Sequence, residues 1–300
     1  MYVLGVNSYF HDASVTLLRD GEIVAALEEE RWYRDDKHTS VFPLRSLSYC
    51  LEAAEDKGLA ISHLGVNMSP VRCFGDAQGA GGVLGGYTRR HHKTFKHLRK
   101  ATENTNRQVR RALRRLGYKA EYTFHEVAHH DAHAASTFFV SPFEEAAVLT
   151  VDGKGEWATT STGLGRGNQL ERLGTLGLPH TLGGIYGSIT EYLGFKRNND
   201  EFKVMGLSSF GDPSRYREHM AKLIWPTEDG FFRVDPSYFN IGPFDYLPAP
   251  RLELLFGGPP RVRESELTQR HKDIAAALQE RTEEIGVHMA RHLQQQTGQK

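Results

Sequence analysis

The sequence predicts an α/β protein made of two related lobes, and three observations predict it. One unit of strand, polar loop, strand, glycine turn and strand occurs twice, 145 positions apart. Helix-period segments alternate with strand-like runs along the chain. The 300 residues are 39% hydrophobic and 25% charged, which is globular composition with enough chain to bury a core without staples.

The first unit opens with the apolar run Tyr2 to Asn7. Ala13 to Leu18 is a second strand, Asp20-Gly21 a hairpin turn, and Glu22 to Leu27 the returning strand. A helix is predicted next, with Pro43 in its first turn and Leu44, Leu47, Leu51 and Ala54 on one face. Gly58 is expected as its stop, and Ile61 to Met68 as another strand. The second unit runs Ala146 to Val151, Ala158 to Leu164, a turn at Gly165 to Asn168, and Gln169 to Leu176. Leu4-Gly5-Val6-Asn7 aligns with Leu149-Thr150-Val151-Asp152 at the same offset as the two middle strands. The expected division is therefore a lobe at 1–145 and the start of a second at 146–300.

Between the units lies a helical insertion, Arg89 to Lys119, with twelve basic residues and one acid, Glu103. Lys plus Arg and Asp plus Glu number 37 each, so the rest of the chain is net −11. A zero total argues against a wholesale polyanion binder, and the basic stretch reads as a solvated helix face. Gly79 to Gly86 lacks the pattern of a phosphate-binding P-loop. Residues 177–265, with nine prolines, read as an ordered, irregular, loop-rich insertion. A last helix is expected from Glu264 to about Gln296, with Leu267, Ile274, Leu278, Ile285, Met289 and Leu293 near one face. Cys50 and Cys73 form no disulfide framework, which fits a reducing cytoplasm. The apolar start reads as a core strand and not a signal peptide, and no run is long enough to span a membrane.

The strongest chemical signal is His129-His130-Asp131-Ala132-His133. On a helix the i, i+4 spacing puts His129 and His133 on one face, close enough to share a metal ion. The Glu of a zinc-protease HExxH motif is missing. Asp152, at the end of a core strand, is the candidate carboxylate ligand. Asp152-Gly153-Lys154-Gly155 forms a turn in which Gly153 and Gly155 let the backbone approach a phosphate and Lys154 adds charge. His11-Asp12, in the matching loop of the first unit, offers a proton acceptor, and His130 offers another. The run Glu28 to Arg31 and the pair Lys37-His38, read alone, are a solvated charged edge.

With these residues in place the chain resembles the O-carbamoyltransferases of natural-product tailoring, the tobramycin, cephalosporin, novobiocin and nodulation-factor group. The matching stretches are Leu4-Gly5-Val6, His11-Asp12-Ala13-Ser14, Asp20 to Ala26, Glu28 to Arg31 and Lys37-His38. Then come His129 to His133, Thr150-Val151-Asp152-Gly153 and Glu201 to Leu207, in family order. The resemblance implies an actin/sugar-kinase-like fold of duplicated ribonuclease-H-like lobes. It implies transfer of a carbamoyl group from carbamoyl adenylate, made from carbamoyl phosphate and ATP, to a hydroxyl of a small molecule. It further implies iron(II), with zinc or another divalent metal as alternatives, on His129, His133 and Asp152. Asp12 and Lys37 would bind substrate, with Lys37 and His11 facing the carbamoyl group and the acceptor hydroxyl.

A family chain continues past the long helix into a glycine-rich strand, another metal-ligating aspartate and a C-terminal adenylate-forming domain. The resemblance therefore implies an incomplete second lobe, as in a truncated chain or half of a split enzyme, with the missing domain acting in cis or in trans. Two other readings remain open at this point. One is a non-catalytic piece binding a partner or nucleic acid through the basic segment, and the other is an independent metallohydrolase. No membrane partner is expected.

Overall fold

The computed structural model describes residues 1–8, 11–33, 38–56, 58–71, 88–241 and 246–299, with side chains from 93 onward in the helix that starts at 88. Lys37, Cys73 and the glycine-rich stretch 79–86 lie outside the described residues. The chain forms two compact units, Met1–Ala132 and His133–Lys300.

The first unit holds a five-stranded sheet in the order β3-β2-β1-β4-β5. β1 (Tyr2–Asn7), β2 (Ser14–Arg19) and β3 (Glu22–Glu28) are antiparallel neighbours, and β1 runs parallel to β4 (Ile61–Val66), which is parallel to β5 (Thr123–Glu126). The hairpin turn falls where expected, because Asp20 and Gly21 both take left-handed backbone (φ 53° and 90°). Alternation places Tyr2, Leu4 and Val6 of β1 and Val15 and Leu17 of β2 in one core. Leu47, Cys50 and Leu51 of α1 (Leu44–Glu52) close it from one direction.

The basic segment is one helix, α2 (Thr88–Arg115). Val109, Ala112 and Leu113 enter the same core, while Lys93, Lys96, Arg99, Lys100, Arg107, Arg111, Arg114 and Arg115 are exposed. Gly58 does not stop α1, which ends at Glu52 with Ala53 as its cap. Gly58 sits instead in a turn where its N–H bonds the Asp56 carboxylate at 2.8 Å.

α1 starts after Pro43, which supplies no side-chain cap. Glu29, 1% exposed, takes that role: its carboxylate accepts the N–H groups of Arg45 (3.2 Å) and Ser46 (2.8 Å). The Glu28 to Arg31 run is thus not merely a solvated edge.

The second unit contains the antiparallel meander β6 (Glu145–Val151), β7 (Ala158–Arg166) and β8 (Gln169–Gly177). It repeats the strand order of β1 to β3. Residues 177–265 are more helical than the sequence reading allowed: α4 (Leu182–Tyr192), α5 (Glu201–Ser208), α6 (Arg217–Leu223) and α7 (Arg251–Phe256) all lie there. The terminal helix α8 (Gln269–Thr297) begins five residues later than expected. Ile274, Leu278, Ile285 and Met289 of α8 pack with Ile185, Ile189 and Tyr192 of α4 and Phe256 of α7 in one core. Among the described residues no helix is long and apolar enough to cross a membrane.

Two imidazoles, His271 buried and His180 half-buried, accept backbone N–H groups in this unit. The Thr268 N–H donates to Nδ1 of His271 at 3.1 Å at the start of α8, and the Val234 N–H donates to Nδ1 of His180 at 3.2 Å. Burial first, then the charges of Arg270 and Arg261 for His271 and of Arg233 for His180, hold both below the usual imidazole value. A lowered folded value means that the stability is complete above about pH 6.5 and is lost as pH falls further. The urea midpoint should therefore drop between pH 7 and pH 5, and a His180→Gln, His271→Gln variant should show a shallower drop; an equal slope would contradict this. Glu29→Ala, which strands the buried Ser46 N–H and the part-buried Arg45 N–H, should cost about 2 kcal/mol; an unshifted midpoint would contradict the capping role.

Candidate functional site

The histidine cluster lies on α3 (His129–Phe138), as its spacing predicts. The boundary between the two units falls inside this helix, so the placement of His129 one turn before His133 is local helix geometry. Nδ1–H of His129 donates to the Asn67 carbonyl, just past β4, at 3.2 Å. A carbonyl can only accept, so Nδ1 carries the proton in this bond and Nε2 is the candidate ligand atom.

β6 ends at Val151, and the next residue, Asp152, meets the helix. Its Oδ2 lies 3.6 Å from Nε2 of His133, and its Oδ1 accepts the Gly153 N–H at 2.6 Å. His129, His133 and Asp152 each offer one ligand atom, and the three atoms lie within 4.8 Å of one another. Two ligand atoms, each about 2.1 Å from one cation, sit roughly 3.0 to 3.6 Å apart as their angle opens from about 90° to about 120°. The His133–Asp152 separation is too long for a hydrogen bond and fits that interval. Two imidazoles and a carboxylate are also the donor set of a borderline divalent ion such as iron(II) or zinc.

The Asp152 turn is braced by α4. Thr181 caps that helix by accepting the Gly184 N–H, and its hydroxyl donates to the Gly153 carbonyl at 2.5 Å. Gly183 lets the helix come this close: a Cβ there would lie 2.7 Å from the Gly153 nitrogen and 2.8 Å from its Cα. Within the turn, the Gly153 N–H serves the Asp152 carboxylate and the Gly155 N–H bonds the Ala158 carbonyl at 2.8 Å. The turn is thus held by its own backbone, and the side chain of Lys154 is its cationic group.

His130, one residue on and about 100° round the helix from His129, is buried at 2% exposure. His11 and Asp12 lie in the exposed β1–β2 loop of the first unit. There Asp12 meets two residues that sequence reading left as a solvated edge. His38 places Nδ1 at 2.7 Å from Oδ1 of Asp12, and Glu30 accepts the His38 N–H at 2.7 Å. Asp12, Glu30 and His38 also bring ligand atoms within 4.8 Å of one another. Their 2.7 Å contact, however, is that of a shared proton and not of two ligands flanking a cation.

Gly183→Ala should push the Asp152 turn away from α4 and cost about 1–3 kcal/mol, read from the urea midpoint. A wild-type midpoint would show that the approach is not tight.

A family model described as "Carbamoyltransferase N-terminus" matches residues 2–64 and 89–300. The chain is 36% identical over 309 residues to an uncharacterised protein of Synechocystis, an alignment covering 99% of this chain and 49% of that protein. It is 32% identical over 296 residues to the nodulation protein NolNO of Sinorhizobium fredii, covering 97% of this chain and 40% of the relative. It is 36% identical over 170 residues to the nodulation protein NolO of Bradyrhizobium diazoefficiens, covering 57% and 29%. The chain spans about half the length, or less, of these curated relatives.

Proposed function

The chain belongs to the carbamoyltransferase N-terminus family, and from that premise we propose that it is the carbamoyl-transfer portion of an O-carbamoyltransferase. Its donor is carbamoyl adenylate, made from carbamoyl phosphate and ATP by an adenylate-forming domain in cis or in trans. Its acceptor is a hydroxyl of a small natural product. The observation that carries this reading is the convergence of His129, His133 and Asp152 in a chain of this family. The matching meanders β1–β3 and β6–β8 support the duplicated, actin/sugar-kinase-like architecture.

His129 and His133 would hold a divalent ion through their Nε2 atoms and Asp152 through Oδ2. When bound, such an ion polarises a carbonyl or phosphate oxygen of the donor. Lys154 places a cation beside the Asp152 turn, where the adenylate phosphate would lie. His11 is exposed and His130 buried, so the acceptor proton is assigned to His11. The hydroxyl oxygen bonds to the carbamoyl carbon as its proton passes to the imidazole. The carbon–oxygen bond to the phosphate breaks, and AMP leaves with that electron pair.

Purified with iron(II), the chain should retain about one ion, and a His129→Ala, His133→Ala variant should retain none while keeping its circular dichroism spectrum. Given carbamoyl adenylate and hydroxylated acceptors, the chain, or a longer natural form that includes the adenylate-forming domain, should yield a carbamate ester. Metal retention with no transfer by either form would reject this function in favour of a metallohydrolase.

A further inference from the structure

The β1–β2 loop contains an arrangement that this function does not yet use. One carboxylate, Asp12, bonds two imidazoles, Nδ1 of His11 at 2.6 Å through Oδ2 and Nδ1 of His38 at 2.7 Å through Oδ1. The two rings stand nearly perpendicular, 84° apart, with centroids 6.5 Å from each other.

The surrounding backbone fixes all three. The side-chain amide of Asn7, at the end of β1, donates to the carbonyls of both His11 (3.0 Å) and Asp12 (2.9 Å). The Ala13 N–H bonds the Thr39 carbonyl at 2.9 Å, which ties the His38 segment to this loop. Glu30 accepts the His38 N–H. Asp12 and His38 both take left-handed backbone, φ 53° and 55°, a conformation that non-glycine residues keep only when their surroundings impose it.

Burial raises the Asp12 carboxyl, but the hydrogen bonds and charges of His11 and His38 outweigh it and leave the group below its usual value. Asp12 is therefore an anion near neutral pH, and an ionised carboxylate can only accept. Both Nδ1 atoms must donate, so both rings carry Nδ1–H, and in the neutral ring Nε2 is then the proton-accepting atom. This is the tautomer that a buried aspartate imposes on the histidine of a serine-protease triad.

We propose that Asp12 is a positioning residue that locks His11 and His38 in the Nδ1–H tautomer, and that Nε2 of His38 is a second proton acceptor, beside His11, for the acceptor hydroxyl. The second half rests on the carbamoyl-transfer reading; the first half does not. In the reaction either Nε2 accepts the hydroxyl proton as the oxygen–carbamoyl bond forms, and AMP leaves as before. Two imidazoles on one carboxylate would let acceptor hydroxyls in slightly different positions each find a base.

Long-range proton–nitrogen NMR of the 15N-labelled chain near pH 7.5 reads the tautomers without any turnover. His11 and His38, identified by His11→Asn and His38→Asn variants, should both appear as Nδ1–H. In Asp12→Asn both should shift toward the Nε2–H form that predominates in free imidazole. A wild-type His38 in the Nε2–H form, or no change in Asp12→Asn, overturns the positioning role.

Turnover is then followed as AMP release from carbamoyl adenylate in the presence of a hydroxylated acceptor, by whichever form transfers. His38→Asn should lower kcat roughly tenfold with KM little changed, and the double variant with His11→Asn should lower it more than about a hundredfold. An unchanged kcat in His38→Asn overturns the proton-acceptor role. Absence of transfer by the wild-type protein in every form would also remove that role, together with the parent function, while the tautomer result would stand.

Discussion

The candidate site depends on one constraint, the approach of a strand-end carboxylate to the second turn of a histidine-bearing helix. Nε2 of His133 and Oδ2 of Asp152 are 3.6 Å apart with no direct hydrogen bond to join them. That spacing exceeds a hydrogen bond and matches two ligand atoms flanking one divalent ion. The surroundings oppose drift. Asp152 is tied to the Gly153 N–H, the turn is pressed by α4 at Gly183, and the helix start is tied to Asn67 through His129.

The two titratable clusters look alike as sets of residue types, and their distances differ. Histidine and aspartate in the α3 cluster stand apart by more than a hydrogen bond. In the β1–β2 loop they stand at 2.6 and 2.7 Å, with the proton between them. One geometry suits a cation and the other suits imidazole tautomer control. A carbamoyl transfer needs both an electrophile-activating centre and a proton acceptor.

Much of this was legible in the sequence. Asp20-Gly21 marked a hairpin because its backbone angles admit few other residues, and His129 to His133 marked a helix face because the 3.6-residue period leaves no choice. Legibility failed where contacts are non-local. His38 and Glu30 reach Asp12 through pairing between Ala13 and Thr39, which no local pattern announces. It failed again in residues 177–265, whose nine prolines suggest an irregular, loop-rich insertion. Pro213 and Pro236 instead open 3-10 turns capped by Asp212 and Asp235, and Pro250 precedes α7. α4 escaped notice because Gly183, Gly184 and Gly187 hide it and because it is buried on most sides, so it carries no amphipathic stripe. The glycine that disguises the helix is also the one that lets it brace the Asp152 turn.

The most direct measurement is anomalous X-ray diffraction, at the metal's absorption edge, from crystals of the iron- or zinc-loaded chain. The account predicts the strongest anomalous peak within about 2.3 Å of Nε2 of His129, Nε2 of His133 and a carboxylate oxygen of Asp152. A peak at Asp12 and His38 instead, or an empty α3 cluster in protein that carries metal elsewhere, would contradict it.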